Sequence, residues 1–320
     1  MRQATRKAEA SATTSQPAGA GRPRHGRKIY TSSLHRAWRV AASIAGLAVL
    51  LVLTARPGVP APSTFSAPAF RVPPISVLHT MGSRFGLTQS NNWSGYGLGS
   101  LTTGSTYGQI SGTWIVPKAA QKVAGQQESS ATWIGIGGGC ADSSCAITDE
   151  TLIQAGTEQD VSASGRASYS SWYELLPLPA VTTSLAVSPG NAMAIDISQS
   201  IPEVWTISMK NLSTGQSFST TLPYPSTMLT AEWIEESPVV ISTSGSSGIL
   251  PIPNLGTVQF GNSRVNSSLP RFQPGQRIEL VSASGNVEAL PSAPDPNVDA
   301  FNDCTYPTAS TCPAPPEGTL

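Results

Sequence analysis

The sequence predicts an all-β domain, a sandwich or a barrel, on three observations. Between Asn91 and Ala289 short runs of β-branched and aromatic residues are broken by Gly, Pro, Asn and Ser turns, the texture of many short strands at regular spacing. No stretch of that region keeps a helical period of apolar residues. Roughly 200 residues of strand can bury a substantial core as one domain.

The expected strands, in order, are QISGTWIVP, ATWIGIG, TLIQAG, ASYSSWYELLP, TSLAVSPGNAMAIDISQS, EVWTISMKNLSTGQSFSTTL, LTAEWIEES, GTVQF and RIELVSA. Two of these carry their own turn, at Pro189-Gly190-Asn191 and around Ser213-Thr214-Gly215, so each is expected to be a hairpin. No internal repeat is present.

The flanks differ in composition. Residues 1–39 hold nine basic side chains against one acidic residue, Glu9, and residues 40–55 carry no charge. Sixteen uncharged residues are short for a spanning helix, which needs ~20. A basic segment followed by a short apolar one is the pattern of an export signal. Residues 1–56 are therefore expected to be a leader, cut off or retained as a signal-anchor, and the rest of the chain to be secreted and extracellular. Residues 57–88 are rich in Pro and Ser and are expected to form a linker or prosegment. The domain proper is placed at 89–289, with a Pro-rich tail at 290–320.

Past Arg56 nine basic and eighteen acidic residues remain, a net charge near −9. That excess argues against a nucleic-acid partner and suits a protein working in acid, where protonation relieves the self-repulsion. The chain has four cysteines, Cys140, Cys145, Cys304 and Cys312. An even number in an exported chain favours disulfides, and CADSSC and CTYPTASTC each suggest a local loop, pairing Cys140 with Cys145 and Cys304 with Cys312. The spacings fit no zinc site, and no metal or cofactor is expected.

Elimination narrows the chemistry. His25, His35 and His79 all precede the domain, so a Ser-His-Asp or Cys-His arrangement lacks its imidazole and an HExxH metal site is absent. There is no G-x-S-x-G elbow and no glycine-rich phosphate loop. Asp142, Asp149, Asp160 and Asp196 do not form the repeated Asp-Thr/Ser-Gly of a shared-proton pair. Glutamate remains. Glu174 and Glu232 lie within aromatic strands; alternation puts Glu232 with Ile234, away from Trp233, and Glu174 with Trp172. A carboxyl beside such groups is partly desolvated, which raises its pKa and suits proton transfer. On spacing alone each is equally a solvent-facing glutamate, and Gln154 a satisfied structural amide.

Taken together, NNWSGY, ISGTWIVP, TWIGIGG, LIQAGTEQD, YSSWYELLP, LSTGQSF, TAEWIEES and GTVQF, in that order over about 170 residues, resemble the eqolisin family of glutamic peptidases. The resemblance implies a lectin-like, concanavalin-type sandwich of two antiparallel sheets. It implies a catalytic pair of Gln154 and Glu232, with Trp133, Glu174 and Glu158 in or near the cleft. It further implies a metal-independent acid endopeptidase acting on polypeptide substrates, and a monomer. Two positions depart from the family pattern: Gly137 stands where an aspartate follows the tryptophan motif, and Glu158 replaces the aspartate after the glutamine. Two rival readings use the same scaffold. In one, Glu174 and Glu232 are the paired carboxylates of a glycosidase; in the other the protein binds carbohydrate or another partner and cleaves nothing.

Overall fold

The computed structural model describes residues 75–78, 84–86, 88–242, 247–309 and 311–318. The expected leader and anchor, 1–56, lie outside the described residues, as does most of 57–88. Among the described residues no helix is long and apolar enough to cross a membrane.

Nineteen strands are formed among the described residues. They are β1 (Ile75–Leu78), β2 (Arg84–Gly86), β3 (Gln89–Ser90), β4 (Trp93–Gly99), β5 (Gln109–Ile115), β6 (Glu128–Gly137), β7 (Leu152–Val161), β8 (Ala167–Leu175), β9 (Val181–Thr182) and β10 (Ala192–Ile201). There follow β11 (Val204–Asn211), β12 (Ser217–Pro223), β13 (Thr230–Glu236), β14 (Val239–Ser242), β15 (Ser247–Ile249), β16 (Thr257–Val265), β17 (Arg277–Val281), β18 (Val287–Pro291) and β19 (Phe301–Thr305). The only α-helix among the described residues is one turn, α1 (Ser100–Thr103), ended by Gly104 at φ 77°, a left-handed cap that glycine adopts without strain.

A front sheet runs β17-β4-β13-β6-β7-β8-β9 and a back sheet β12-β11-β10-β5-β16-β19-β18. The two antiparallel sheets of the expected sandwich join at β17, which bonds to β4 on one side and β18 on the other. β1, β14 and β15 form a separate three-stranded sheet.

Between the sheets lies the main core. Tyr96, Ile134, Ile136, Ile153 and Trp233 come from the front sheet, and Trp114, Ile195, Ile207, Phe260 and Phe301 from the back. A buried indole needs a partner for its N–H, and two of the three tryptophans of this core find one across the gap. Trp233 Nε1 donates to the Ser111 carbonyl at 3.0 Å, and Trp114 Nε1 to Thr157 Oγ1 at 3.0 Å. The front sheet has a second apolar cluster on its outer face: Trp93, Ala131, Trp133, Leu152, Trp172, Ile234 and Ile278. The middle of this sheet, β6 and β13, is therefore buried on both faces.

Both cysteine pairings hold, Cys140–Cys145 and Cys304–Cys312. Three boundaries are corrected. The tail 290–320 is not an appendage: β18 runs across position 289, and β19 pairs with β16 and β18 inside the back sheet. Its prolines hid a strand in which Phe301 and Asp303 turn inward, both fully buried. The segment 57–88 is not all linker, since β1 pairs with β14 and β2 with β3. The expected hairpin across Pro189-Gly190-Asn191 keeps its turn but only one arm, β10. Residues 183–191 form no strand, although Leu185 and Val187 still bury their side chains. The hairpin around Thr214 forms as β11 and β12.

Candidate active site

Strand register assembles the site. Across the front sheet Glu174 (β8) stands opposite Gln154 (β7), Gln154 opposite Gly135 (β6), Gly135 opposite Glu232 (β13), and Glu232 opposite Gly97 (β4). Residues directly opposite share a face, so two carboxyls and an amide form one transverse row. The next row on that face is Trp172, Gly156, Trp133, Ile234 and Gly95. Glu174, Gln154, Glu232 and Trp133 are all fully buried.

Gln154 Nε2 donates to Glu174 Oε2 at 2.9 Å. This bond uses one of the two amide hydrogens and fixes the plane of the amide. Between Gln154 and Glu232 the row holds only Gly135. Two strand spacings, about 10 Å, separate the two backbones, and Gly135 puts no side chain of its own between them. A Cβ on Gly135 would lie 3.0 Å from the Trp133 ring and 3.1 Å from Gln154 Cβ, so even a methyl group there would press on both.

Trp133 makes the adjoining wall. Its side chain lies over Gly156, where a Cβ would sit 2.5 Å from Trp133 Cβ. The Trp93 ring meets it edge-on at 5.0 Å and 76°, and its Nε1 donates to Glu236 Oε2 at 2.9 Å. Glu236, Trp93 and Gly135 are site residues that the sequence reading passed over. Glu236 was in view, four residues after Glu232 and so on the same face, but alternation does not rank two glutamates on one strand.

Glu158 shares this face yet is not brought to the pair. It lies four residues along β7 from Gln154, about 13 Å at the usual rise, opposite Ala131. There it accepts a long bond from Ser170 Oγ, 3.4 Å. Gly137 has a local explanation: its φ is 104°, and a Cβ there would collide with the Thr151 carbonyl. This backbone excludes an aspartate.

The remaining glutamate of the motif, Glu235, points the other way. Thr132 Oγ1 donates to it at 2.6 Å, and burial pushes its carboxyl up to about 8. Asp303 on β19, also buried, is pushed up to about 7 by the same desolvation and accepts from Ser94 Oγ at 2.9 Å. Ser94 stands directly opposite Glu235. These two acids lie in the sandwich interior and take no part in the cleft.

A two-layered β-sandwich whose buried outer face aligns glutamate, glutamine and glutamate, in a domain without histidine, agrees with the glutamic-peptidase resemblance of the sequence motifs. The chain belongs to the Peptidase A4 family, the eqolisins, whose family model matches residues 91–288. Aspergillopepsin-2 of Aspergillus niger is 28% identical over 203 residues, covering 56% of this chain and 65% of that protein. The chain thus spans just under two thirds of that relative's length. Scytalido-glutamic peptidase bound to a transition-state analog inhibitor has a similar fold, with TM-score 0.51 and 20% identity, over 67% of this chain and 98% of that one. A second complex, with a peptide-based transition-state analog, gives 0.50 and 19% over the same shares.

Proposed function

We propose that this protein is a secreted, acid-active endopeptidase that hydrolyses polypeptides with Glu232 and Gln154 and without a metal ion. The observation that carries the reading is the row that puts Gln154 and Glu232 on one face of the front sheet, one on each side of Gly135.

Glu232, ionised, takes a proton from a water as the water oxygen attacks the scissile carbonyl carbon. The carbonyl oxygen becomes an oxyanion, and the Gln154 amide, held in plane by its bond to Glu174, donates to it. Such a donor, placed before the charge develops and away from water, contributes roughly 3–4 kcal/mol to the transition state. The C–N bond then breaks, and the proton on Glu232 passes to the leaving nitrogen, restoring the carboxylate. A carboxyl that both accepts and gives the proton works best near its own pKa, hence the expected acid optimum.

The glycosidase reading fits less well. Glu174 and Glu232 stand three strand spacings apart with the amide between them, and the Glu174 carboxyl is committed to Gln154. Incubating the full chain with a denatured protein from about pH 2 to pH 7 tests the proposal. Cleavage in acid that disappears in Glu232→Gln while the variant stays folded supports it. A folded wild-type protein that cleaves nothing at any of these pH values rejects it.

A further inference from the structure

The hairpin loop between β6 and β7 lies against the Glu232 carboxyl. A methyl group built on Gly139 would collide with Glu232 Oε1 and lie 3.3 Å from both the carboxyl carbon and Thr230 Oγ1. The Gly139 N–H donates to Thr230 Oγ1 at 3.2 Å. Only a residue without a side chain leaves the carboxyl where it is.

The loop that delivers Gly139 is fastened at each end. Its tip is closed by the Cys140–Cys145 bridge and by Asp142, whose carboxylate accepts from the Ser144 Oγ and from the Ser144 and Ile147 N–H groups. These bonds hold Asp142 down at about 2, so the tip keeps its anion in acid. Its root rests on the end of β4, the strand beside Glu232, and on α1: a Cβ on Gly99 would lie 2.5 Å from the Cys140 and Ala141 carbonyls, and Leu101 N–H donates to the Ala141 carbonyl at 2.9 Å. At the far end stands Asp149, fully buried. Its N–H donates to the Gly139 carbonyl at 2.9 Å. Its carboxylate accepts from Thr151 N–H at 3.0 Å, just before β7, and from Leu229 N–H at 2.8 Å, just before β13. One carboxylate therefore ties the loop to the strand of Gln154 and to the strand of Glu232.

We infer that this disulfide-closed loop is the positioning element of the active site, with Gly139 setting the Glu232 carboxyl and Asp149 locking the loop to both catalytic strands. The inference rests on Glu232 being the base. Glu232 is the flexible partner in the contact, so Gly139→Ala displaces its carboxyl and leaves the backbone in place.

The test is Gly139→Ala in the full chain, with kcat and KM on a peptide substrate in acid and the melting temperature alongside. A misplacement near 1 Å lowers kcat on the order of 100-fold, with KM and the melting point close to wild type. The 13C resonance of the Glu232 side-chain carboxyl, recorded without substrate, moves in the variant, and this readout stands even if the protein cleaves nothing. The double variant Cys140→Ser/Cys145→Ser is expected to lose kcat in the same direction, more than Cys304→Ser/Cys312→Ser, whose bridge lies at the tail. If Gly139→Ala does not fold, this pair of double variants decides the matter by kcat and by the same resonance. An unmoved Glu232 resonance with wild-type kcat overturns the inference, as does equal loss in both disulfide variants.

Discussion

The two sheets of this sandwich are written in different ways. In the back sheet β5, β10 and β11 alternate buried and half-exposed residues, and β12 alternates exposed and half-buried ones. That is the ordinary grammar of a sheet with one face to water. In the front sheet every residue of β6 and β13 is buried. Burying a polar or charged group costs free energy that its hydrogen bonds must offset, so Gln154, Glu174, Glu232 and Glu236, all fully buried, are costlier on the outer face of the front sheet than apolar residues would be. A scaffold needs only one apolar face. The second, carrying buried polar residues among its apolar ones, is where the proposed mechanism has stability given up for chemistry.

The largest stability effect expected from this contrast is at Trp133, which joins the catalytic row to Trp93 and Glu236. Trp133→Ala removes a wholly buried indole and leaves Glu236 without that donor, a loss of about 3–5 kcal/mol by denaturant unfolding. A loss under 1 kcal/mol would mean the outer face is not a packed layer.

Glu174→Ala comes next, expected to cost about 1–3 kcal/mol through a buried amide deprived of its acceptor. It should lower kcat more than it raises KM, because the amide loses its orientation. An unchanged kcat would place Glu174 outside the machinery.

The third effect is on pH. Glu235 and Asp303 are raised to about 8 and about 7 by burial, and among the described residues no Lys, Arg or His bonds to either. Unfolded, they titrate near 4. The folded state holds more protons between those limits, so their contribution is complete below about pH 4 and is lost as pH rises towards 8. Melting temperatures measured from pH 4 to 8 should fall with pH, and fall less in Glu235→Gln/Asp303→Asn. Equal slopes in the two proteins would remove the pair from the account. The smallest effect belongs to the back sheet's open face. There Thr206 and Thr221 bond across strands in the exposed layer, and Thr206→Ala should shift stability by less than about 0.5 kcal/mol.

The same contrast explains what could be read from sequence. Strands of the back sheet announce themselves by alternation, and the proposal of Gln154 and Glu232 as a pair came from motifs that only the whole set makes specific. Glu236 and Gly135 were hidden in plain text, because a glutamate on a strand and a glycine in a run such as TWIGIGG carry no mark of which row they join. That row is set by register between strands distant in sequence, as Glu232 with Gly135. Asp149 was dismissed as an unpaired aspartate; its role depends on bonds to Thr151 and Leu229, and the latter lies 80 residues away. The strand at Phe301–Thr305 was masked by proline composition around it.

The most direct measurement is the kinetics of Gln154→Ala on one peptide substrate in acid. Removing a single oxyanion donor should lower kcat by roughly 100- to 1000-fold while KM stays near the wild-type value, since the amide is needed only when the oxyanion forms. A rise in KM at unchanged kcat would make Gln154 a substrate-binding group and contradict the mechanism.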